Sequence, residues 1–241
     1  MKILLSGHGR MGENIETLAT AAGYEIIGYA DITNPHSLAQ VEKCDVIIDF
    51  SHPAMLPHVT EYVHRTKTPL CCGTTGFSAE EKETLKSLGD YAPVLYSANY
   101  SLGIAVLRKA LFDASPVLKE DFDIEIIETH HNKKIDAPSG TAKLLLDAID
   151  PAREKKIVSG RSGECGERRK EEIGIFALRG GTVAGEHTVY YFGEDETLSF
   201  THSAASRRIF AKGALKAAIA LTKKESGFYT LEQILFSATE S

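Results

Sequence analysis

The feature that most constrains the fold is a glycine-rich turn between two short apolar segments near the start of the chain. Residues 3–6 form an apolar run that ends at Gly7-His-Gly-Arg-Met-Gly12, and apolar residues then recur at helical spacing up to Gly23. Residues 24–30 are typical of a second strand and close on Asp31. Glycines at this spacing permit a tight turn, and the following helix offers its first N–H groups to a pyrophosphate. The pattern predicts a dinucleotide-binding βαβ unit. Its predicted contacts are Gly7, His8, Gly9, Arg10, Met11, Gly12 and Asp31.

The residue after Asp31 bears on which dinucleotide binds. A carboxylate at this position accepts hydrogen bonds from the adenosine ribose hydroxyls and repels a 2′-phosphate. Asp31 is followed by Ile32 rather than by a basic residue, so we expect NADH to bind at least as well as NADPH. Arg10 could reach a phosphate or remain a solvated charge, which leaves NADH, NADPH or both as the cofactor.

Strands continue to alternate with helices up to residue 101. Strand-like runs at 44–51, 69–72 and 93–97 are separated by stretches of helical spacing, which predicts a parallel, doubly wound, Rossmann-like sheet. Ligands of such sheets lie at the carboxyl ends of the strands. The polar segments GTTG and SANYS follow two of these strands, and GTTG is predicted to lie on the nicotinamide side. Their candidate residues are Gly73, Thr74, Thr75, Ser97, Ala98, Asn99 and Tyr100.

The pattern changes in the second half, where strands follow one another through short turns. We expect a helix from 102 to about 114 that ends before Pro116, a strand at 122–127, and an exposed loop over the charged residues 153–172. Three further strands, the last two joined by a hairpin-type turn, are predicted at 173–179, 186–192 and 196–202.

The predicted fold class is therefore α/β, with a second domain of α+β type. Residues 1–101 form the dinucleotide-binding domain, and residues 207–241 are expected to return to it. Residues 102–206 form a substrate-binding domain on a mixed or antiparallel sheet.

The densest group of chemically capable residues is the segment 128–141, ETHHNKKIDAPSGT. His130 and His131 lie four and three residues before Lys134, so one turn of helix would bring them to one pocket. Histidine and lysine are able to transfer protons, so either histidine and Lys134 are candidates for proton transfer. A helix that begins at Ser139, Gly140 and Thr141 would bind an anionic oxygen pair. Together, the histidines, the lysine and this helix start predict a site for a small carboxylated substrate. Asp136 would orient Lys134 or shape the turn before Pro138.

Other interpretations of this segment are weaker. A single histidine at a strand end is usually structural, and Ser-Gly-Thr is an ordinary helix cap, but the combination is harder to explain structurally. A metal site would need His187 or His202 to complete His130 and His131. Adjacent residues of a strand point to opposite faces, and the spacing matches no common zinc pattern. No metal is therefore predicted.

Composition excludes several classes of protein. The net charge of −6 does not favour broad binding to nucleic acid or to membrane surfaces. No apolar run approaches the ~20 residues of a membrane span, and the first seven residues are expected to begin the fold rather than a signal peptide. Four cysteines without a CxxC spacing favour reduced thiols in a cytoplasmic protein, with Cys71 and Cys72 in the core.

Residues 128–142 resemble the signature of the 4-hydroxy-tetrahydrodipicolinate reductase (dihydrodipicolinate reductase) family of lysine and diaminopimelate biosynthesis. The resemblance covers nearly the whole chain. It includes the segments GHGRMG, DFSHP, GTTGF, SANYSLG, EIGI, RGG, GEH and SRRIFAKGA.

The resemblance implies NAD(P)H-dependent reduction of 4-hydroxy-tetrahydrodipicolinate to tetrahydrodipicolinate. His130 would donate or accept a proton, Lys134 would donate one, and His131 with Gly140 and Thr141 would bind the substrate carboxylate. It also implies a cytoplasmic homotetramer that assembles through the sheet of the second domain. Many members carry an arginine where this chain has Ile32, and the glycine loop is one residue shorter than the longer family version.

Two other functions remain open on the residues alone. One is a different NAD(P)-dependent reductase of a small carboxylated substrate. The other is a non-enzymatic dinucleotide sensor, which would bind NADH without oxidising it and would need no histidine–lysine pocket. A metallohydrolase is a third, weaker alternative, which insensitivity to chelators would dismiss.

Overall fold

The computed structural model describes residues 1–236, which form two compact units. The first comprises Met1–Leu102 together with the chain from Arg208 onward, and the second comprises Gly103–Arg207. Residues 237–241, which we expected in the first domain, lie outside the described residues.

The helices and strands follow the apolar periodicity of the sequence. The strands are β1 Lys2–Ser6, β2 Glu25–Ala30, β3 Val46–Asp49, β4 Leu70–Cys72, β5 Pro93–Tyr96, β6 Asp123–His130, β7 Lys156–Ser159, β8 Glu172–Arg179, β9 Gly185–Phe192, β10 Thr197–Ala204 and β11 Gly227–Tyr229. The α-helices are α1 Arg10–Ala21, α2 Ser37–Gln40, α3 Leu56–Thr66, α4 Ala79–Ser87, α5 Leu102–Leu118, α6 Gly140–Ile149, α7 Arg208–Leu221 and α8 Leu231–Phe236. Short 3₁₀ turns cover Pro53–Met55 and Leu88–Asp90.

The first unit contains a six-stranded sheet in the order β11-β5-β4-β3-β1-β2, in which every pair of neighbours is parallel. Apolar residues of α2, α3 and α4 form a core with one face of the strands, while α7 contacts α1 and strands β3, β4 and β5. The predicted parallel, doubly wound sheet is confirmed. The strand order reverses between β1 and β3, which is where sheets of this type bind ligands.

The second unit contains a five-stranded sheet in the order β10-β9-β6-β8-β7. The central strand β6 runs antiparallel to β9 and parallel to β8, and β9 and β10 form the predicted antiparallel hairpin. Ile124 and Ile126 of β6 lie in one core with apolar residues of α5 and α6. The predicted mixed sheet is confirmed.

Two predictions about the second unit were wrong. Residues 153–172 do not form only an exposed loop, because Lys156–Ser159 adds a parallel edge strand to β8. The strand has only two apolar residues in a charged sequence, so its partner, rather than its own pattern, stabilises it. Helix α5 does not end before Pro116 but continues to Leu118. A proline near the end of a helix removes one backbone donor, and this loss does not stop the last residues from remaining helical.

Within residues 1–236, the structure contains no helix with both the length and the apolar character that crossing a membrane requires.

Candidate active site

In the first unit, the predicted cofactor residues lie at the carboxyl ends of four strands. Residues 7–9 join β1 to α1 and residues 10–12 begin α1. Asp31 follows β2, residues 73–75 follow β4, and residues 97–100 follow β5. Because these strands are parallel, their carboxyl ends lie at the same edge of the sheet. The structure therefore brings this set of predicted residues together.

Gly7, Gly9 and Gly12 of the glycine-rich turn have different surroundings. Gly7 has a positive φ of 90°, and a β-carbon there would overlap the backbone of Phe50. A β-carbon on Gly12 would overlap the Gly7 carbonyl oxygen. A β-carbon on Gly9 would meet no atom within 4 Å beyond its chain neighbours. Packing thus requires glycine at the first and last positions, whereas Gly9 leaves open backbone at the start of α1.

The neighbours of that loop are also tethered within the unit. His8 Nε2 lies 2.8 Å from Glu16 Oε2, and its ring packs against Tyr29 at 4.1 Å between centroids. Arg10 is exposed and Met11 is half-buried. Asp31 accepts hydrogen bonds from the N–H and hydroxyl of Thr33 at 2.7 and 2.6 Å, and these bonds lower its pKa. Asp31 is therefore ionised at neutral pH.

Two of the predicted cofactor side chains are buried. Thr74 Oγ1 donates to Asp49 Oδ2 at 2.7 Å and accepts from the Ser51 N–H. The Tyr100 hydroxyl donates to the Cys72 carbonyl at 2.8 Å, and this side chain is 1% exposed. These two side chains fix the loops from inside the protein. At Thr74 and Tyr100 we therefore expect a cofactor to contact backbone atoms rather than the side chains.

The other loop residues have more exposure. Thr75 and Ala98 are exposed, while Gly73, Ser97 and Asn99 are half-buried. Ser97 Oγ donates to the Asn99 carbonyl at 2.7 Å, which closes the turn after β5.

In the second unit, the end of β6 places a carboxylate and a histidine on the core side of the sheet. Glu128 is fully buried, and its Oε2 lies 2.5 Å from His130 Nδ1. Arg179, at the end of β8, donates to both Glu128 oxygens at 2.9 Å. The Ser139 N–H donates to Oε1 at 3.0 Å. Burial alone raises the pKa of Glu128, but the hydrogen bonds from Arg179, His130 and Ser139 outweigh it and lower the pKa.

Ser139 is the N-cap of α6, as predicted, and its hydroxyl is already used by the protein. It accepts from the Ala142 N–H and lies 3.1 Å from His187 Nε2. Ser139 is 1% exposed, whereas Gly140 is exposed and Thr141 half-buried. Ser139 thus positions the start of the helix, and Gly140 and Thr141 form its accessible end.

His131 and Lys134 lie in the loop between β6 and α6. Residues 131–134 form a hydrogen-bonded turn rather than the turn of helix that we considered. Lys134 Nζ lies 2.7 Å from Asp136 Oδ1, so Asp136 orients this lysine. His131 Nε2 lies 3.2 Å from Arg207 Nη2, and partial burial with the charge of Arg207 lowers the pKa of His131. Lys134 and Arg207 carry positive charge and a helix N-terminus favours anions, so these groups are suited to binding a carboxylate.

In the part of the chain that the structure describes, no group of three or more His, Cys, Asp or Glu side chains is arranged to hold a metal ion. Cys44, Cys71 and Cys72 are buried and Cys165 is exposed, and all four are free thiols. The prediction that Cys71 and Cys72 are core residues is confirmed.

Comparison with known sequences decides the family. The profile described as "Dihydrodipicolinate reductase, N-terminus" matches residues 1–100, and the profile described as "Dihydrodipicolinate reductase, C-terminus" matches residues 103–235. The chain belongs to the dihydrodipicolinate reductase family. It is 42% identical to a 4-hydroxy-tetrahydrodipicolinate reductase of Exiguobacterium sibiricum, over 97% of this chain and 96% of the relative. It is 43% identical to the Staphylococcus aureus protein of the same name, over 97% of this chain and all of the relative.

Solved structures agree on the fold of this family member. A dipicolinate-bound dihydrodipicolinate reductase from Paenisporosarcina sp. TG-14 superposes with a TM-score of 0.77 at 21% identity, covering 98% of this chain and 99% of the other. A diaminopimelate (DAP) dehydrogenase from C. glutamicum superposes with a TM-score of 0.54 at 12% identity, covering 97% and 93% of the two chains.

Several residues that contact the candidate site in the structure were not assigned a role from the sequence. Glu128, Arg179 and Arg207 were given no role, and His187 was considered only as a metal ligand. Glu128 carried a usable signal, because it interrupts the apolar face of a strand two residues before His130. Arg179 and His187 lie 51 and 48 residues from their partners Glu128 and Ser139, so only the sheet brings them together.

We predict that His187 makes folding stability depend on pH. Burial first, and then the nearby charge of His130, lower the pKa of His187 from 6.5 to about 4. Between these values the unfolded chain binds a proton that the folded chain does not, so stability falls as pH falls. The loss should reach about 3 kcal/mol. Glu128, Lys134 and His202 also act on this imidazole.

Urea unfolding followed by circular dichroism between pH 7 and 4 measures this effect. His187→Gln should reduce the pH-dependent loss, even if it lowers stability at pH 7. His36→Gln, a change at an exposed histidine, should leave the pH dependence unchanged. Equal pH dependence in wild type and His187→Gln would contradict the assignment.

Proposed function

We propose that the chain catalyses reduction of 4-hydroxy-tetrahydrodipicolinate to tetrahydrodipicolinate in lysine and diaminopimelate biosynthesis. Relatives that are 42–43% identical over nearly their full length carry this activity in their names. The observation that carries the proposal is the grouping of His130, His131 and Lys134 beside the N-terminus of α6. Proton-transferring groups next to an anion-binding helix start suit a dicarboxylate that gains a hydride and loses its 4-hydroxyl as water.

The residues of the glycine loop fit a reduced nicotinamide dinucleotide. Packing demands glycine at positions 7 and 12, but at position 9 it leaves open backbone at the first turn of α1. That is the position where a pyrophosphate approaches helices of this kind. When bound, the cofactor supplies the hydride. Asp31 would accept hydrogen bonds from the ribose hydroxyls at Oδ2, because Thr33 donates only to Oδ1.

In the second unit, each residue has a proposed part. His130 and Lys134 would supply the proton, the latter held by Asp136. His131, Gly140 and Thr141 would bind a substrate carboxylate, with Arg207 adding positive charge next to His131. Ser139 would support them through the helix cap.

We further propose a homotetramer in the cytoplasm. Apolar residues of α5 and α6 form the core on one face of the second sheet, whereas the other face carries Phe176 and the stacked rings of Tyr190 and Phe192. Phe192 is 41% exposed, and Leu178 on the same face is 49% exposed. Association through this face would cover them. The free thiols are consistent with a reducing compartment.

A coupled assay tests the activity and the catalytic pair. Aspartate semialdehyde, pyruvate and the preceding synthase generate the substrate, and loss of NADH or NADPH absorbance is the readout. His130→Gln and Lys134→Ala should each lower kcat by about 100-fold or more, because each removes a proton-transferring group. Lys133→Ala, a change at the exposed neighbour, should stay near wild type. Near-wild-type turnover in both active-site variants would refute the assignment, and NADH binding without oxidation would favour a sensor.

A pair of glycine variants distinguishes the proposed cofactor residues of the first unit from the proposed substrate residues of the second. A β-carbon at Gly9 or Gly140 would meet no described atom within 4 Å beyond its chain neighbours, so neither methyl should disturb the fold. Gly9→Ala should weaken NADH binding and leave KM for the dicarboxylate almost unchanged, and Gly140→Ala should do the reverse. Calorimetric titration with NADH and steady-state kinetics measure both. Gly12→Ala, which overlaps the Gly7 carbonyl, is the control expected to lower stability.

Asp31 should set the cofactor preference. Its ionised carboxylate disfavours a 2′-phosphate, so NADH should bind at least as tightly as NADPH at moderate salt. Asp31→Asn should shift the ratio of the two dissociation constants toward NADPH by about five- to tenfold. Glu25→Gln, at the opposite end of β2, is the charge-matched control. Much tighter NADPH binding by the wild type would contradict the prediction.

A further inference from the structure

Glu128 holds together three segments of the second unit. It lies on β6, and its carboxylate accepts hydrogen bonds from three segments. The donors are His130 on the same strand, Arg179 at the end of β8, and the Ser139 N–H that precedes α6. The two oxygens receive four hydrogen bonds in total, two each. Arg179 also donates to the Asp136 carbonyl at 2.7 Å, which fixes the loop between the other two segments.

We propose that Glu128, held by Arg179, is a positioning residue that keeps His130 in the tautomer with its proton on Nδ1. This inference rests on the proton-transfer role proposed for His130. An ionised carboxylate only accepts, so the 2.5 Å contact requires His130 to donate from Nδ1. The other ring nitrogen, Nε2, is then the one that exchanges the proton of the reaction. The same carboxylate fixes the start of α6, so the proton-transferring ring and the carboxylate-binding helix end keep a constant separation.

The neighbourhood of Nε2 agrees with this role. A β-carbon at position 185 would lie 3.1 Å from His130 Nε2, so Gly185 keeps the adjacent strand clear of that atom. His187 lies beside the ring with centroids 5.1 Å apart, but its own Nε2 is turned to Ser139. A side chain at position 185 would therefore crowd Nε2 of His130, and the Nε2 atom of His187 is already engaged with Ser139.

A purely structural ion pair would explain less. The charges of Glu128 and Arg179 compensate each other, so their pairing alone would not require a histidine. The same strand offers a direct comparison in Glu125, which binds Arg161 through two bonds at 2.9 and 3.1 Å and Arg168 through one at 2.9 Å. Glu125 lies on the opposite face of β6 and has no imidazole among these partners. The histidine contact is thus the feature that separates Glu128 from an otherwise similar carboxylate.

Nitrogen NMR of ¹⁵N-histidine-labelled protein tests the proposal, with the His130 signals assigned by comparison with His130→Gln. In the free wild-type protein, the neutral ring of His130 should carry its proton on Nδ1 and not on Nε2. A neutral His130 protonated on Nε2 would overturn the proposal. This measurement needs no substituted Glu128, so it decides the question even if Glu128→Gln does not fold.

Glu128→Gln supplies the second readout. The amide both donates and accepts, so the single tautomer should be replaced by a mixture or by the Nε2-protonated form. The coupled assay should then show kcat lowered by about tenfold or more, because the ring presents the wrong nitrogen. KM for the dicarboxylate and the dissociation constant for NADH should change little. An unchanged tautomer with unchanged kcat would refute the role.

Glu125→Gln is the matched control, since it removes an arginine-bound carboxylate from the same strand. It should leave the His130 tautomer and kcat unaltered. If Glu125→Gln changed them as much as Glu128→Gln does, the effect would come from the loss of any ion pair on this strand, and the positioning role would be refuted. The spectra are recorded without substrate. An inactive wild type whose His130 is protonated on Nδ1 would therefore refute the proposed function and leave the tautomer assignment standing.

Discussion

A buried carboxylate needs a donor for every oxygen that water no longer reaches, and this requirement organises the second unit. Glu128 finds these donors because the end of β6, the end of β8 and the start of α6 lie around its carboxylate. Loss of any one donor would leave charge exposed to an apolar interior, so the three segments are held to one arrangement. The histidine proposed to transfer the proton and the helix end proposed to bind a carboxylate are thereby positioned by the same buried group.

The first unit also contains a buried carboxylate that accepts hydrogen bonds from neighbouring segments. Asp49, 4% exposed at the end of β3, accepts from Ser51 Oγ at 2.5 Å and Thr74 Oγ1 at 2.7 Å, and lies 3.2 Å from Cys72 Sγ. Two loops at the carboxyl edge of the parallel sheet are thus tied to one strand. The polar side chains closest to the sheet are used for this support, which leaves exposed backbone, such as that of Gly9, for a ligand.

The extent to which sequence predicts this molecule follows from the range of the interactions. Periodicity is a local property, so the parallel sheet, the hairpin and the cap at Ser139 could be predicted, as could the density of proton-transferring groups around His130. The edge strand at 156–159 could not, because its stability comes from β8 rather than from its own two apolar residues. Arg179 and His187 reach the site only through strand pairing, and no local pattern distinguishes them from surface or core residues.

The central strand β6 changes from apolar to polar residues along its length. Its core-facing residues run from Ile124 and Ile126, which pack beneath α5 and α6, to Glu128 and His130, where α6 begins. The same alternation that buries the first pair buries the second, but there the helix terminus and Arg179 supply polar partners. The apolar half of the strand packs in the core and stabilises the unit. The polar half continues the same strand, and its carboxylate holds the His130 imidazole in one orientation. Residues of the opposite face, such as Glu125, share the strand without sharing this environment.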